Sequence, residues 1–597
     1  MAIKLIKACK ELNIGMKTLL DFCSMMGYPV EADPNFRIDD DIYLLLQKEF
    51  GQNERADHRG IQSIGVRNFR KFEILEPIRL NGITYIVGGN NAGKSTIVKA
   101  LRLVVENMTN LASIGTGYSI QSMTPKFRFD LKGLNIGTFE KAHNRNVADL
   151  SITFESDLSE NIHAVIQVEQ QSANSPIAVV PFLRIEDNAV QCTFEVDTKE
   201  GKMRLYNTSG IASTEDAEKQ LQKLKQDLKD ISAQLDAIQT QLDNPRTALP
   251  IKIRMDLVNK STSYNAEKEK LKLIIKNLEA DIKKTKESVK TPTGALLFEM
   301  NMSINNDNPD DNLLVRLMKG MKIQLSTQNT RSQRQVSKNP VYVQVLDRMI
   351  GNVRWALASS NIEYIGAHAA TQKTIFSLDD HNDETVAIIH EWMQQLILSS
   401  AEEHKFIITW MRNLRIGIDF RITNHYGEAY SVDIKEHEGE AWSSMSELGM
   451  GAIQMMTLLL HLSSPMRKYK DNRNKPLIVF EEPEQNMHPN WQSHLADIFE
   501  EVRKMGFRIL VETHSEYMIR KSQVQVADMH FADQGDIDDN CPIATYYFPT
   551  DDAPYNMRYM PSGNFEKHFG EGFFDEAARW DMIIIQNEQL NPICRKR

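Results

Sequence analysis

The segment Gly88-Gly-Asn-Asn-Ala-Gly-Lys-Ser-Thr96 lies between an apolar run, Ile83–Val87, and a second apolar run that begins at Ile97. The first run predicts a buried strand and the second a helix, so the glycine-rich segment is expected to form the turn between them. This is the GxxxxGK[ST] pattern in the strand-and-helix context that it requires. The glycines let backbone N–H groups converge on phosphates, and the start of the helix adds partial positive charge.

This P-loop predicts a nucleoside triphosphate site. Lys94 would reach the β- and γ-phosphates, and the Ser95 hydroxyl would bind Mg²⁺. No Asn/Thr-Lys-x-Asp segment, which would read guanine, follows it, so the expected cofactors are ATP and Mg²⁺. The residues expected to line the nucleotide are Gly88, Gly89, Asn90, Asn91, Ala92, Gly93, Lys94, Ser95 and Thr96.

Another apolar run, Leu477–Phe480, leads directly into the acidic turn Glu481-Glu-Pro-Glu-Gln-Asn-Met-His-Pro489. The run predicts a buried strand with Glu481 and Glu482 at its carboxyl end, where side chains usually face a ligand or a metal. A carboxylate near Mg²⁺ stays ionised, and its neighbour can orient water for an in-line attack. Glu484 falls in the turn beyond, where we expect a subunit interface.

Small residues are concentrated in Ser443–Gln454, which leads into the apolar, helix-forming run Met455–Leu462. A turn of small residues at the start of a helix is again suited to an anion. The chain therefore has two phosphate-type helix starts that are separated by hundreds of residues. Together they predict a composite site.

These segments follow the order that is typical of RecF-like, ABC-type ATPases, with Asn68–Phe72 first and Val511–Ser515 last. The motifs Glu-Glu-Pro-Glu-x-x-x-His-Pro and Glu-Leu-Gly-x-Gly further resemble the ATPase domain of the OLD family and its anti-phage relatives. The similarity covers about residues 61–525, apart from an insertion. The resemblance implies an α/β fold, with an ABC-type P-loop ATPase head.

In these families the ATPase domains pair head to tail, and the signature of one subunit closes over ATP on the other's P-loop. By this resemblance Ser446, Gly449 and Gly451 would contact the γ-phosphate of ATP that is bound to the partner. A homodimer or a higher homo-oligomer with ATP at the subunit interface is therefore implied.

The resemblance also implies roles within one subunit. Glu481 would organise Mg²⁺ through water, and Glu482 would be the general base that positions the attacking water. His514 would sense the γ-phosphate; the implied catalytic residues are thus Glu482, His514 and Lys94. Arg70, in the segment that precedes the P-loop strand, joins the expected nucleotide-binding residues.

Two features depart from the family pattern. Glu481 stands where the usual residue is Asp, and Gln121 is a weak candidate for the Q-loop glutamine that could equally be a plain loop residue. Hydrolysis is therefore expected to be slow or to depend on a partner.

The middle of the chain carries a separate pattern. Apolar residues alternate in steps of three and four across Leu221–Leu242 and again across Leu271–Val289, with proline breaks between. Two such arms predict an antiparallel coiled-coil hairpin; the alternative is two ordinary amphipathic helices on a globular body. The predicted divisions are a small helical domain (1–52), an ATPase N-terminal lobe with the P-loop (61–213), the coiled-coil hairpin (214–290), an ATPase C-terminal lobe with the signature, acidic turn and histidine switch (291–525), and a region that packs on the core or binds a partner (526–597).

The composition is that of an ordinary globular protein. Of the 597 residues, 41% are hydrophobic and 25% are charged, and the formal net charge of −10 argues against a wholly basic nucleic-acid coat. No apolar run approaches the ~20 residues of a membrane span, and the five cysteines form no CxxC pair. These features predict a cytoplasmic protein with no membrane partner.

The two ends of the chain carry weaker signals. Residues 3–50 resemble the small N-terminal domain of bacterial translation initiation factor two; the resemblance does not by itself carry a function. Lysines in this segment could face nucleic acid or simply solvent. Near the other end, Asp536–Asp539 mimics a metal-binding DxD, but we expect a solvated acidic loop and no nuclease site in this chain.

Three functions agree with these motifs. The first is an ATPase that serves as sensor and scaffold of a bacterial anti-phage system of the Septu or PARIS type. It would control a separate effector protein, expected to be a nuclease, in response to a phage-derived trigger. The second is a DNA-repair or recombination ATPase that binds DNA ends. The third is a switch that binds ATP but scarcely hydrolyses it.

Overall fold

The structure is a computed structural model of the chain. It describes residues 60–111 (except 81), 124–208, 294–304, 311–328, 339–366, 384–394, 401–550 (except 471 and 473) and 552–570, with short pieces within 3–42, 225–272, 373–380 and 574–583. The chain divides into two compact units. Unit 1 comprises Met1–Val190, Glu195–Met203 and Met300–Arg597, and unit 2 comprises Gln191–Phe194 and Arg204–Glu299.

Strands and helices are numbered in chain order over the described residues. The strands are β1 (Ile3–Lys4), β2 (Arg37–Ile38), β3 (Ser63–Phe69), β4 (Phe72–Arg79), β5 (Ile83–Gly88), β6 (Lys126–Arg128), β7 (Ser151–Asp157), β8 (Ile162–Gln170), β9 (Ile177–Asp187), β10 (Cys192–Asp197), β11 (Lys202–Asn207), β12 (Ala295–Asn301), β13 (Ile362–Ile365), β14 (Phe376–Ser377), β15 (Asp419–His425), β16 (Ala429–Lys435), β17 (Ser443–Ser444), β18 (Leu477–Glu481), β19 (Arg508–Thr513), β20 (Ile543–Phe548) and β21 (Tyr555–Asn556). The helices are α1 (Lys94–Thr109), α2 (Phe139–Ala142), α3 (Leu313–Gln328), α4 (Asn339–Ser359), α5 (Glu384–Gln394), α6 (Glu402–Asn413), α7 (Met450–Lys468), α8 (Pro489–Lys504), α9 (Glu516–Asp528) and α10 (Gln534–Asn540).

A six-stranded sheet in unit 1 carries the P-loop, and its strand order is β13-β18-β19-β5-β20-β21. The strands from β13 to β20 are parallel, and β21 pairs antiparallel with β20. Strands β5 and β19 are buried along their whole length, as inner strands of a parallel sheet should be. The predicted strands at Ile83–Val87 and Leu477–Phe480 are confirmed by β5 and β18.

The register of this sheet aligns the carboxyl ends of three strands. Glu481 of β18 pairs with Glu512 of β19, and Glu512 pairs in turn with Ile86 of β5. Neighbouring strands lie about 4.8 Å apart, and paired side chains share a face. The acidic end of β18 is therefore next to the acidic end of β19, and β19 in turn lies beside the strand that leads into the P-loop.

The P-loop helix and the signature helix both begin directly after a glycine. Helix α1 has Gly93 as its N-cap, and no acidic side chain occupies its first turn. Helix α7 has Gly449 as its N-cap and begins at Met450, earlier in the chain than the predicted apolar run. None of the helices in the described part of the chain combines the length and the apolar character that a membrane span requires.

Antiparallel strands form the rest of unit 1. Strands β4-β3-β7-β8-β9 are consecutive neighbours in one sheet, with β6 paired to β9. A smaller sheet has the order β14-β16-β15, with β17 paired to β16. Strands β3 and β4 form a hairpin whose turn lies within the segment Asn68–Phe72.

Unit 2 holds the predicted coiled-coil segment. Its described part includes an ion pair between Arg204 Nε and Glu299 Oε2 at 2.8 Å, which joins β11 to β12. The hairpin predicted at 214–290, like the Q-loop candidate Gln121, lies almost wholly outside the described residues. The helices predicted within 1–52 also fall mostly outside them, although β1 and β2 pair antiparallel there.

The C-terminal part of unit 1 corrects one expectation. Asp536 and Asp538 were expected in a loop, but they lie in α10. The side chain of Asp533 accepts a hydrogen bond from the Asp536 backbone N–H at 2.9 Å, so Asp533 is the N-cap that starts this helix. Asp536 also accepts a hydrogen bond from Asn540 at 2.7 Å. These side chains are therefore committed to the helix.

We predict that Phe480→Ala destabilises the site sheet. Phe480 is fully buried in β18, and its ring centroid lies 4.7 Å from that of Phe499 on α8. Removing the ring leaves a cavity, so the free energy of unfolding should fall by about 3–5 kcal/mol, as judged by urea denaturation followed by circular dichroism. Phe480→Leu, which keeps most of the volume, should cost roughly 1–2 kcal/mol. Equal stability of the two variants would contradict this packing.

A second prediction concerns pH. Burial lowers the pKa of His163, but its hydrogen bond to Asp157 (Nδ1 to Oδ1, 2.8 Å) and nearby carboxylate charges outweigh burial and raise the pKa to about 9. The unfolded pKa is about 6.5, so this stabilisation is complete below that pH and is lost as pH rises through 9.

The thermal midpoint should accordingly fall between pH 6.5 and 9 by about 1–3 °C more in the natural chain than in His163→Gln. The exposed His437 provides a matched control. In His437→Gln the thermal midpoint should change with pH as it does in the natural chain. If it also does so in His163→Gln, the pair of His163 and Asp157 contributes nothing to stability.

Candidate functional site

The P-loop connects β5 to α1 through positions that only glycine can occupy. Gly93 has φ of 101°, in the left-handed region, and a Cβ there would lie 2.6 Å from the Phe72 ring. A Cβ at Gly88 would lie 2.3 Å from the carbonyl oxygen of Phe548 on β20. Thr96 is buried in the first turn of α1. The loop backbone is therefore packed from behind and forms a cradle for phosphates.

The tip of the loop is fixed by its own backbone and by a neighbouring hairpin. The Ala92 N–H donates to the Gly89 carbonyl at 3.3 Å, and Asn91 has φ of 61°. Lys71, from the turn between β3 and β4, donates from Nζ to the Asn91 carbonyl at 3.3 Å. Asn90 is exposed at the tip. The loop thus presents a defined shape before a nucleotide arrives.

Lys94 lies inside this cradle and is only 4% exposed. Its Nζ donates to the carbonyls of Gly88 and Gly89, each at 3.0 Å, and lies 2.9 Å from His514 Nε2. Burial lowers the pKa of Lys94. Because the ammonium group is held by dipoles at the centre of the loop, it is placed to meet a phosphate.

His514 follows β19 and lies close to Lys94 and Glu482, the other two residues that are predicted to be catalytic. Burial and the charge of Lys94 lower the pKa of His514, so the ring is neutral near pH 7 and Nε2 can accept from Lys94. The same Nε2 lies 3.5 Å from Glu482 Oε1. The structure therefore brings the three residues predicted to be catalytic, Lys94, Glu482 and His514, to one place.

Glu482 has an unusual backbone. Its φ of 43° lies in the left-handed region, which is costly for a residue with a side chain and often marks functional sites. The Glu482 N–H donates to the Glu512 carbonyl at 2.8 Å, and Gln485 Nε2 donates to Glu482 Oε2 at 2.6 Å. These bonds hold the carboxylate at the edge of the sheet with Oε1 toward His514.

Glu481 is oriented by a tyrosine that the sequence did not point to. Tyr364 of β13 donates from Oη to Glu481 Oε2 at 2.7 Å. Arg102 of α1 lies over the Tyr364 ring, 4.1 Å from its centroid. Burial and the bond to Glu481 raise the pKa of Tyr364, so the hydroxyl stays a donor. Tyr364 lies on the strand next to β18, and only the sheet order reveals this.

Glu512 is a third carboxylate at this edge, and no role was predicted for it. Ser95 donates from Oγ to Glu512 Oε1 at 2.7 Å. Burial raises the pKa of Glu512 to about 7, the charges of Glu481 and Glu482 add to the rise, and the bond from Ser95 opposes it. The available signal in the sequence was its position two residues before His514 in an otherwise apolar run.

Glu484 lies in the acidic turn, where a subunit interface stays a prediction. Within the chain its side chain is buried and supports the turn that carries His514. Its Oε1 accepts from Thr513 Oγ1 at 2.8 Å and from the His514 N–H at 2.6 Å. Burial raises the pKa of Glu484. The residue has a positioning role inside one chain because its oxygen is already used there.

The signature segment has a different environment. Ser446 lies in a short 3-10 turn (Met445–Glu447), with its Oγ 2.9 Å from that of Ser444. Gly449 is exposed, and a Cβ there would meet nothing within 4 Å. A Cβ at Gly451 would lie 2.8 Å from the Asn486 carbonyl, so Gly451 packs on the acidic turn. Over the described residues, the hydrogen bonds of Lys94 and Ser95 do not reach this segment.

Arg70 lies in the turn between β3 and β4. It has φ of 53°, and its N–H donates to the Ala142 carbonyl at 2.6 Å. Burial and the charge of Arg70 lower the pKa of Lys99 on α1, which indicates that the two cations are close. The turn thus places positive charge beside the first turns of the P-loop helix.

The residues present fit Mg²⁺ bound with a nucleotide. The Ser95 hydroxyl and the carboxylates of Glu481 and Glu512 are hard oxygen donors, which Mg²⁺ prefers. In the described part of the chain, no cluster of three His, Cys, Asp or Glu side chains is arranged to hold a metal alone. A P-loop magnesium site needs no such cluster, because phosphates and water supply most of its ligands.

Comparison with known proteins gives two narrow likenesses. Over 53 residues the chain is 47% identical to translation initiation factor IF-2 of Parabacteroides distasonis, which is 9% of this chain and 5% of that factor. IF-2 of Bacteroides fragilis is 41% identical over 54 residues, again 5% of its length. The chain thus spans about one twentieth of these curated relatives, and the initiation-factor-like domain stays a prediction.

Among solved structures, the Smc head domain with an extended coiled coil, bound to the C-terminal domain of ScpA and derived from Pyrococcus furiosus, is 10% identical. The alignment covers 88% of this chain and 99% of that one, with a TM-score of 0.30. An SmcHead bound to the C-winged helix domain of ScpA gives 10% identity and a TM-score of 0.29 over 84% of this chain and 98% of that one. Scores this low establish no shared fold.

The family comparison is broader. Residues 60–519 match the AAA ATPase domain family, and this range is about three quarters of the chain. It contains the P-loop, the signature segment, the acidic turn and His514. The chain therefore belongs to the AAA ATPase domain family.

Proposed function

We propose that the chain is an ABC-type ATPase whose active site is completed by a second copy of itself. The observation that carries this proposal is the meeting of Lys94, His514 and Glu482 at the P-loop. The same chain presents Gly449 at an exposed helix start. Each copy thus offers a phosphate cradle and a separate anion-binding turn, which supports a head-to-tail pair.

The residues act together on a bound nucleotide. Ser95 and Glu481 would hold the Mg²⁺ that arrives with ATP, and the ion would supply positive charge for the β- and γ-phosphates. When Lys94 turns from the loop carbonyls to the phosphate, its bond to His514 is released. With the ring proton on Nε2 in place of Nδ1, His514 could then donate a hydrogen bond to a γ-phosphate oxygen. Glu482, held by Gln485, orients the attacking water and accepts its proton.

The second copy supplies the missing donors. Ser446 and the N–H groups at the start of α7 would approach the γ-phosphate on the partner's P-loop. Gly449 suits this role because no neighbouring atom within the chain crowds it. An incomplete site in the single chain would also keep basal hydrolysis slow, as the sequence predicts.

In the cell, we propose that ATP-dependent pairing serves an anti-phage system. The chain would be the sensor and scaffold, and a separate effector, a nuclease by the resemblance to OLD-like defence ATPases, would be released or activated by a phage-derived trigger. The support is the motif set of the acidic turn and signature. Co-purification from the native operon would identify the effector.

The first test is Glu482→Gln. Loss of the base should lower the rate of phosphate release about 100- to 10,000-fold while ATP binding persists, so ATP-bound dimers should accumulate in light scattering after gel filtration. Glu428→Gln, in an exposed turn, is the matched control and should hydrolyse ATP normally. Unchanged turnover in Glu482→Gln would favour the switch that scarcely hydrolyses ATP.

The second test asks whether the site is shared. Lys94→Ala disables the P-loop, and Gly449→Asp places a charge at the signature without a clash in the chain. Each variant alone should be inactive. If subunits exchange, half of the dimers in an equal mixture are mixed and have one intact site, so up to about a quarter of natural activity should return. A mixture that stays inactive despite proven exchange argues against a composite site.

A further inference from the structure

We propose that Glu512 is a positioning residue for magnesium: one carboxylate oxygen orients the Ser95 hydroxyl, and the other accepts a hydrogen bond from a water in the magnesium shell. This inference rests on the proposed ATPase function and adds to it a residue with no predicted role. Three observations carry it: the sheet register, the contact with Ser95, and an unpaired buried oxygen.

The register fixes where Glu512 points. Glu512 in β19 pairs with Glu481 in β18 on one side and with Ile86 in β5 on the other. Paired residues of parallel strands project on the same face, so Glu512 shares a face with Glu481. It lies nearer to the P-loop, because β19 is the direct neighbour of β5.

The contact with Ser95 is compatible with a metal. A serine hydroxyl has one proton to donate and two lone pairs to offer. In the structure the proton goes to Glu512 Oε1 at 2.7 Å, which leaves the lone pairs for a cation. Carboxylates that do not touch the metal themselves commonly orient its ligands in this way. Glu512 would thus fix the direction in which Ser95 offers its oxygen.

The second carboxylate oxygen of Glu512, Oε2, supports a nearby water that is bound to Mg²⁺. The side chain is 3% exposed, and its Oε2 has no hydrogen-bond partner among the described residues. An unsatisfied buried carboxylate oxygen is costly and calls for an explanation. A water held by Mg²⁺ would satisfy it, and the positive ion would compensate the buried charge.

The division of labour with Glu481 follows from Tyr364. One oxygen of Glu481 is already bonded to the Tyr364 hydroxyl, and Glu481 is only half-buried. Glu512 has a free oxygen and lies beside Ser95. The two carboxylates would therefore flank the ion from adjacent strands, with Glu512 on the side of the P-loop.

The experiment separates magnesium from nucleotide. Binding of ATPγS is measured by calorimetry with Mg²⁺ and with EDTA, and the affinity of the nucleotide complex for Mn²⁺ is measured by electron paramagnetic resonance. For Glu512→Gln we expect unchanged affinity in EDTA and a 10- to 100-fold loss of Mn²⁺ affinity. Glu512→Asp, which keeps the charge, should recover part of the loss. Natural Mn²⁺ affinity in Glu512→Gln would overturn the inference.

Two controls make the outcomes distinct. Glu500→Gln removes another buried glutamate, one that pairs with Arg503 on α8, and it should bind Mn²⁺ normally. Ser95→Ala combined with Glu512→Gln should cost less than the sum of the single losses, because the two residues act through one contact. Losses of Mn²⁺ affinity that simply add in the double variant would contradict a shared contact.

Failure of the proposed function would look different. Natural chain that binds no ATPγS under either condition would remove the ATPase proposal itself. If the natural chain binds ATPγS and Glu512→Gln keeps the natural Mn²⁺ affinity, only the role of Glu512 is overturned. If Glu512→Gln also loses binding in EDTA, Glu512→Asp decides. A loss of affinity in Glu512→Asp that appears only with the metal would support the role, and equal losses with and without the metal would overturn it.

Discussion

The parallel register of three strands is the constraint on which the site depends. It sets Glu481 and Glu512 opposite each other, with Glu512 beside the strand that enters the P-loop. Carboxylates at this spacing repel, and burial makes the repulsion worse. The arrangement is tolerable because Lys94, Ser95 and Tyr364 each provide a donor at the same edge. Packing of apolar strands thus enforces a concentration of charge that only a cation can complete.

The lysine at the centre of this edge links the P-loop to the turn that carries His514. Its ammonium group satisfies two loop carbonyls and the ring of His514. Those bonds are available to a phosphate without large movement, since all of the donors and acceptors already point into the loop. Glu484 fixes the turn that carries His514 by accepting a hydrogen bond from the His514 N–H. The same contacts that stabilise the free protein are therefore the ones a nucleotide exchanges.

The sequence was sufficient for the parts of the site that are local. Ile83–Thr96 contains its own strand, turn and helix start, so Lys94 and Ser95 could be assigned from pattern alone. Glu512 and Tyr364 could not, because their roles depend on which distant strands become neighbours. The contact between Glu484 and Thr513 could not be assigned for the same reason, because it joins two distant segments. The acidic loop near the C-terminus became a helix because Asp533 caps it.

Strand β20 has a consequence for the order of assembly. It pairs with β5 on the side opposite β19, and Phe548 backs the first glycine of the P-loop. Both neighbours of the P-loop strand come from the last part of the chain, hundreds of residues later. During synthesis the glycine-rich turn must therefore wait, without its flanking strands, until β19 and β20 have been made. The sheet that supports the P-loop is thus a late product of folding, although the loop itself is made early.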